Sequence, residues 1–293
     1  MEKYIDLHIH SVYSEGALSC AEILKLADRN NIKVLALTDH NVIDGVPEIT
    51  KLSRRYKIKV LPGVEIYTHY QGRALHLLGY NFRLGDTELS RALKELQKNH
   101  INKVKRSIAD LKRRGFVINE EKIFQNPSKQ LGAIHILAEI EKYPENKCKI
   151  RKEIPSLYND YLGKIHHYLG KGRAGYFELS QLPLLKAIQL IKKAGGQAVL
   201  AHPGQQLIFK EDKVIPALVK GGLDGLEVLS PYHNWHQIEH YLKMAVQYRL
   251  LITGGSDFHE YVKIKGQAII NKQWDYYKIP YRLYRDWQKM INN

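Results

Sequence analysis

The sequence predicts a parallel α/β fold interrupted by a helical insertion. Three observations carry that expectation. Short β-branched or apolar runs alternate with amphipathic helical windows up to about residue 80 and again from about residue 180, the signature of strands crossing over through helices. Residues 86–175 hold almost no strand pattern. Histidines and carboxylates gather at the C-terminal ends of the predicted strands, where parallel α/β folds place their active sites.

The elements follow in order. A strand over 3–9 (KYIDLHI) alternates, so Asp6, His8 and His10 are expected on one face, with Leu7 and Ile9 packing on the other. A helix over 19–30 leads to a strand over 33–38 that ends Thr38-Asp39-His40. A helix over 44–56 precedes a strand over 58–66, which carries Pro62-Gly63-Val64-Glu65, and a strand over 73–80, which carries His76. The window 88–114 reads as one long helix stopped by Gly115, and 132–142 as a second helix of the insertion. Alternation resumes with a helix over 183–194 and a strand over 197–201 running into Ala201-His202-Pro203-Gly204. Then come a helix over 212–221, a strand over 223–229 followed by His233, a helix over 234–247, and a strand over 249–254 before Gly255-Ser256-Asp257-Phe258-His259. A strand over 266–271 and a helix over 281–291 complete the pattern.

Composition narrows the function. The 293 residues are 44% hydrophobic and 26% charged, ordinary for a globular protein with a sizeable core. No apolar run approaches the roughly 18 residues of a membrane helix. The opening MEKYIDLHIH reads as a strand and not as a signal peptide. The two cysteines, Cys20 and Cys148, exclude a disulfide scaffold and a cysteine-built zinc finger, so a reduced, cytoplasmic setting is expected. The net charge of +15 calls for an anionic partner. Residues 86–175 carry 19 basic and 11 acidic side chains, which makes the insertion the denser source.

The 14 histidines bear on metal chemistry. H-x-H on one strand face can grip one ion, yet His8 and His10 alone could equally be solvated strand residues. A lone His76 among leucines is more often a satisfied core residue. Six strand ends that each bring a His or a carboxylate are harder to assign to packing, because burying such groups without partners costs several kcal/mol. Shared cations remove that cost.

Taken together, Asp6-Leu7-His8-Ile9-His10-Ser11, Ser14-Glu15-Gly16, Thr38-Asp39-His40, Pro62-Gly63-Val64-Glu65, His76 with Gly79, Ala201-His202-Pro203-Gly204 and Gly255-Ser256-Asp257-Phe258-His259 resemble the motif set of the PHP (polymerase and histidinol phosphatase) family. The resemblance spans 1–80 and about 180–293. Tyr168-Leu169-Gly170-Lys171-Gly172-Arg173-Ala174-Gly175-Tyr176 is similar to the end of the insertion in the branch of nucleoside 3′,5′-bisphosphate phosphatases and 5′–3′ exoribonucleases.

The resemblance implies a distorted (β/α)7 barrel over 1–85 and 176–293, with a helical subdomain over 86–175. It implies two or three divalent ions. One would take His8, His10, Glu65 and Asp257. A second would take Glu65, His76 and His202. A third would take Glu15, His40 and His259, with Glu15 standing where the family more often has Asp. Asp6 and Asp39 would accept a proton from a liganding histidine and fix its tautomer. Lys171 and Arg173 would clamp a second phosphate, and His135 and His233 would line the pocket. The branch carries arginines on the first insertion helix, where this chain has Val104 among His100–Arg106. Imidazole and carboxylate donors without thiolate suit manganese, zinc or iron.

The implied activity is hydrolysis of a phosphate ester by a metal-activated hydroxide, on a nucleotide or the 5′ end of a short RNA, without a membrane partner. The alternatives are a histidinol-phosphatase-type phosphomonoesterase, disfavoured by the Lys171-Gly172-Arg173 insertion, and a non-catalytic RNA-binding module, disfavoured by the complete ligand set. An amidohydrolase lacks a candidate for its carboxylated lysine.

Overall fold

The computed structural model describes residues 2–126, 128–154, 160–207, 212–259, 274 and 277–283. The chain divides into two compact units, Met1–Lys94 with Gln181–Asn293, and Glu95–Ser180.

The first unit is built on one mixed sheet. Its strands are β1 (Tyr4–Ile9), β2 (Ile32–Leu37), β3 (Lys59–Tyr70), β4 (Arg73–Tyr80), β5 (Leu182–Pro183), β6 (Gln197–Leu200), β7 (Gly225–Leu229), β8 (Leu251–Gly254) and β9 (Ile279–Pro280). Their spatial order is β8-β7-β6-β4-β3-β2-β1-β9, with β5 beside β3. The sheet nearly closes into a barrel. Phe258 N–H donates to His8 C=O at 3.1 Å and His10 N–H to Phe258 C=O at 2.8 Å, which seals the segment after β8 against β1. Gly255 permits that approach, since a Cβ there would strike the backbone of His8.

The expected parallel order fails at two strands, and one of them is β9, which pairs antiparallel with β1. β4 runs antiparallel between β3 and β6. Gln71 and Gly72 both have positive φ (48° and 78°), so β3 and β4 form a hairpin through a two-residue turn, and such turns join only antiparallel strands. β3 therefore runs past the expected end at 66 to Tyr70, which leaves both Glu65 and His76 in mid-strand.

Helices α1 (Cys20–Arg29) and α2 (Gly45–Ser53) cover one side of β1 and β2. Ile23, Leu24, Ala27 and Ile49 meet Ile32, Leu35 and Leu37 there. Ser19 and Glu22 form a capping box that starts α1. A second apolar cluster joins Ile5, Leu7, Val34, Ala36, Leu78 and Val199. α8 (Leu184–Lys193), α9 (Pro203–Gln206), α10 (Val214–Lys220) and α11 (Trp235–Gln247) complete the described helices of this unit. The expected strand over 266–271 and most of the helix over 281–291 lie outside the described residues.

The second unit is all helical among its described residues. α3 (Thr87–Arg113) begins in the first unit and continues into the second. Val104, Ile108 and Leu111 recur at helical spacing and pack with Ile136, Leu137 and Ile140 of α5 (Ala133–Ile140). Val104 is thus a core residue. α4 (Glu120–Phe124), α6 (Pro144–Glu153) and α7 (Tyr161–Leu169) were not expected from sequence. α6 is charged along most of its length and buries only Asn146 and Ile150, so it offers no apolar period to read. Among the described residues no helix is long and apolar enough to cross a membrane.

Candidate metal centre

Glu65 is the hub of the first unit. It is fully buried, and five imidazoles converge on it. Oε2 lies 3.1 Å from His8 Nε2, 3.2 Å from His10 Nε2 and 3.1 Å from His40 Nδ1. Oε1 lies 2.8 Å from His76 Nδ1 and 3.2 Å from His202 Nε2. Asp257 adds an oxygen 3.3 Å from His8 Nε2 and 3.0 Å from His10 Nε2. Glu15 Oε1 stands 3.1 Å from His10 Nδ1, 3.3 Å from His40 Nε2 and 3.0 Å from His259 Nε2. The structure thus brings all nine expected ligands together in overlapping groups. His8, His10, Glu65 and Asp257 form one, His40, Glu65 and His76 another, His10, Glu15, His40 and His259 a third, and His8, His202 and Glu227 a fourth, while His76 and His202 also meet on Glu65 Oε1.

The backbone is bent to deliver these side chains. His202, Asp257 and Asn41 all have positive φ (20°, 51° and 55°), a conformation non-glycine residues hold only where surrounding contacts fix it. Those contacts are present. Asn41 N–H donates to Glu65 C=O at 2.7 Å, and His202 N–H donates to Glu227 Oε2 at 2.8 Å. Asp39 accepts from Ser11 N–H (2.7 Å), Ser11 Oγ–H (2.7 Å) and Ser14 Oγ–H (2.6 Å), which pins the turn that carries Glu15.

Contrary to the expectation from sequence, Asp6 and Asp39 do not hold a histidine ring. Asp6 accepts from His8 N–H at 3.1 Å and from Ser256 and Trp274. A register irregularity between Asp6 and Ile9 breaks the strand's period of two and turns that carboxylate away from the rings. The residue that takes the ring is Glu227 on β7, which the sequence reading missed. It is fully buried and accepts from His8 Nδ1–H at 2.9 Å. Its signal was an acid inside an otherwise apolar strand, Gly225-Leu226-Glu227-Val228-Leu229.

Electrostatics follow from this crowding. Burial works to lower the pKa of His8, but Glu227, Glu65 and Asp257 outweigh it and hold the ring well above the usual imidazole range. His10 is raised likewise, burial being overcome by Glu15, Asp257 and Glu65. Burial would raise Glu65, yet His40, His8 and His76 hold it well below the usual carboxylate range. His40 is pushed down to about 3 by burial. Burial raises Asp6 and Asp39.

The donor set fits divalent ions. Among the described residues, His8 Nε2, both ring nitrogens of His10, His40 Nδ1 and Glu65 Oε2 are buried without a hydrogen-bond partner, and they face one another. Orphaned buried donors and acceptors of this kind are costly, and a cation shared among their lone pairs satisfies them together.

The other expected site residues lie differently. Both ring nitrogens of His233 are engaged by backbone. Nδ1–H donates to Val228 C=O and Nε2 accepts from Gly204 N–H, each at 2.9 Å, so the ring anchors the loop after His202. His135 Nδ1 accepts from Gly132 N–H at 2.9 Å and caps α5 in the second unit. Lys171 and Arg173, also in that unit, are exposed and line a cavity of about 600 Å³ with His166 and His167.

Comparison with known proteins agrees with this geometry. The PHP domain model matches residues 6–181. A 5′-3′ exoribonuclease of Haemophilus influenzae is 30% identical over 88% of this chain and 91% of its own length. A phosphoribosyl 1,2-cyclic phosphate 1,2-diphosphodiesterase of Eggerthella lenta is 28% identical over 87% of this chain and 93% of its own. A 3′,5′-nucleoside bisphosphate phosphatase of Chromobacterium violaceum is 27% identical over 87% of each chain. A crystal structure from Bifidobacterium adolescentis shares the fold, with a TM-score of 0.74 at 22% identity, covering 97% of this chain and 95% of that one. By its matched domain, its barrel and its relatives, this chain belongs to the PHP domain family.

Proposed function

We propose that this chain is a metal-dependent phosphoesterase acting on a phosphorylated ribose, either a nucleoside 3′,5′-bisphosphate or the 5′ end of a short RNA. The observation that carries the reading is Glu65, one buried carboxylate within 3.2 Å of five imidazoles. That arrangement suits a carboxylate bridging two cations, with the third ligand group beside it. Glu65, His8, His10 and Asp257 would hold the first ion, Glu65, His76 and His202 the second, and Glu15, His40 and His259 the third. Manganese, zinc and iron all accept such donors. When bound, the ions supply Lewis acidity, which activates water and neutralises the ester's phosphate oxygens.

The chain's own residues do the rest. Glu227 orients His8, Asp39 holds the Glu15 turn, and His233 anchors the loop that follows His202. Lys171 and Arg173 offer charge for a second phosphate, the guanidinium because its fork matches phosphate oxygens. The three relatives support the substrate class, since their names specify RNA, a nucleoside bisphosphate and a phosphoribosyl cyclic phosphate. The Eggerthella lenta relative also supports a second reading, in which the ester opened is a ribose cyclic phosphate.

The test is phosphate release from a nucleoside bisphosphate, a 5′-phosphorylated short RNA and a phosphoribosyl cyclic phosphate, with protein stripped by EDTA and then reloaded with manganese or zinc. At least one substrate should turn over only after reloading. Equal release in EDTA, or none from any substrate after reloading, overturns the reading.

A further inference from the structure

The three proposed ion positions are not equally prepared, and the difference lies in what each histidine meets at its far nitrogen. A neutral imidazole that ligates through Nε2 must carry its proton on Nδ1, so the group facing Nδ1 has to accept. His8 meets this condition, because Nδ1 faces Glu227 Oε1 at 2.9 Å and Nε2 faces Glu65 and Asp257. His259 meets it as well. Its Nδ1 lies 2.8 Å from Asp257 C=O, and its Nε2 faces Glu15.

His202 does not. Its Nδ1 faces the side-chain amide of Gln206 at 2.8 Å, and the same amide faces the backbone N–H of His76 at 2.8 Å. A backbone N–H can only donate, so it takes the amide oxygen. The amide nitrogen is left to donate to His202 Nδ1. Rotating the amide would set its N–H against the N–H of His76, and an imidazolium would set an N–H against the amide at Nδ1. The ring therefore carries its proton on Nε2, the atom 3.2 Å from Glu65 Oε1.

We infer that Gln206 holds His202 in the tautomer that opposes ligation, making the position of Glu65, His76 and His202 the weak one of the metal centre, while Glu227 makes the position of His8, His10, Glu65 and Asp257 a strong one. The inference rests on the phosphoesterase reading above only in that divalent ions occupy the centre. To ligate through Nε2, His202 must move its proton to Nδ1, and Gln206 must either draw back from the ring or rotate its amide and give up the His76 N–H. The enzyme then holds one ion firmly and takes up another with its phosphate ester or at high free metal.

The experiment is a calorimetric titration of EDTA-stripped protein with manganese(II) and zinc(II), with His76→Ala identifying the phase that belongs to the weak position. Gln206→Glu places an acceptor against both His76 N–H and His202 Nδ1–H. It should tighten the weak phase about 10- to 100-fold, the usual effect of such partners, and leave the strong phase within about twofold. Gln206→Leu adds no charge and removes the opposing donor, so it too should tighten that phase. Glu227→Gln should weaken the strong phase by a similar factor. In the metal-free wild type, nitrogen-15 spectra should show the His202 proton on Nε2, and in Gln206→Glu on Nδ1, with the signal identified by its loss in His202→Ala.

A wild-type His202 protonated on Nδ1 overturns the inference. So does a tightening confined to Gln206→Glu, which would report added charge alone, or a wild type in which all positions fill with one affinity. Failure of every variant to bind either metal would instead overturn the phosphoesterase reading.

Discussion

At the residue scale, the site depends on one carboxylate. Each oxygen of Glu65 faces two or more rings, so no other side chain in the described residues can take its place between the groups. Glu65→Gln keeps the volume but turns one oxygen into a donor that faces lone pairs. Phosphate release should fall by more than about 100-fold, beyond the effect of losing an outer partner, and bound metal per chain should drop in elemental analysis. Full activity in Glu65→Gln would remove Glu65 from the centre. The nine side chains proposed as ligands could be singled out because imidazoles and carboxylates in short motifs are conspicuous in a sequence, and the resemblance to the PHP motif set sorted them into groups. Glu227 and Gln206 were not. An acid in a strand reads as a solvent-facing residue until the fold shows it fully buried, and an amide carries no charge to mark it.

At the scale of elements, most of the order of strands and helices could be read, and strand direction could not. β4 carries the same apolar alternation whether it runs parallel or antiparallel. The decisive signal was Gln71-Gly72, a two-residue connection too short for a parallel crossover. The charged helices α4 and α6 were invisible for want of an apolar stripe. The seal between the β8 end and β1 was also hidden, since Gly255 was readable only as part of a motif. Its role is steric. Gly255→Ala would push a methyl group into the His8 backbone, with no flexible side chain to yield. The change should destabilise the protein by about 1–3 kcal/mol, the range for overpacking. Because the displaced residue is a proposed ligand, metal affinity should fall as well. Denaturant midpoints and a chelator competition check both, and an unchanged midpoint with unchanged affinity would show that the barrel tolerates a wider seam.

At the scale of the molecule, the charge that first suggested an anionic partner separates into two parts. Residues 86–175 carry a dense basic surface on helices, which suits attraction of phosphate. The barrel instead buries a charge problem of its own, in which carboxylates are balanced either by protons on His8 and His10 or by cations. The two solutions respond oppositely to pH. His8 and His10 have pKa values raised in the fold by Glu227, Glu65, Asp257 and Glu15 against the cost of burial. Above about 6.5 the unfolded chain has released those protons and the metal-free fold still binds them. Unfolding then releases protons, so stability must fall as pH rises, by at most about 2.7 kcal/mol per pH unit for two groups, until the pH passes their folded values. His40, pushed down to about 3, is neutral in both states over this range and contributes nothing to the slope. With saturating manganese or zinc the imidazoles are already deprotonated and ligated, so the loss should vanish or reverse. Urea unfolding at pH 6.5 to 9, in EDTA and in metal, should therefore give a falling midpoint in the first series and a level or rising one in the second. A metal-free midpoint that stays flat or rises with pH would mean that the carboxylates are balanced in some other way, and that the barrel does not hold its cations by exchanging them for protons.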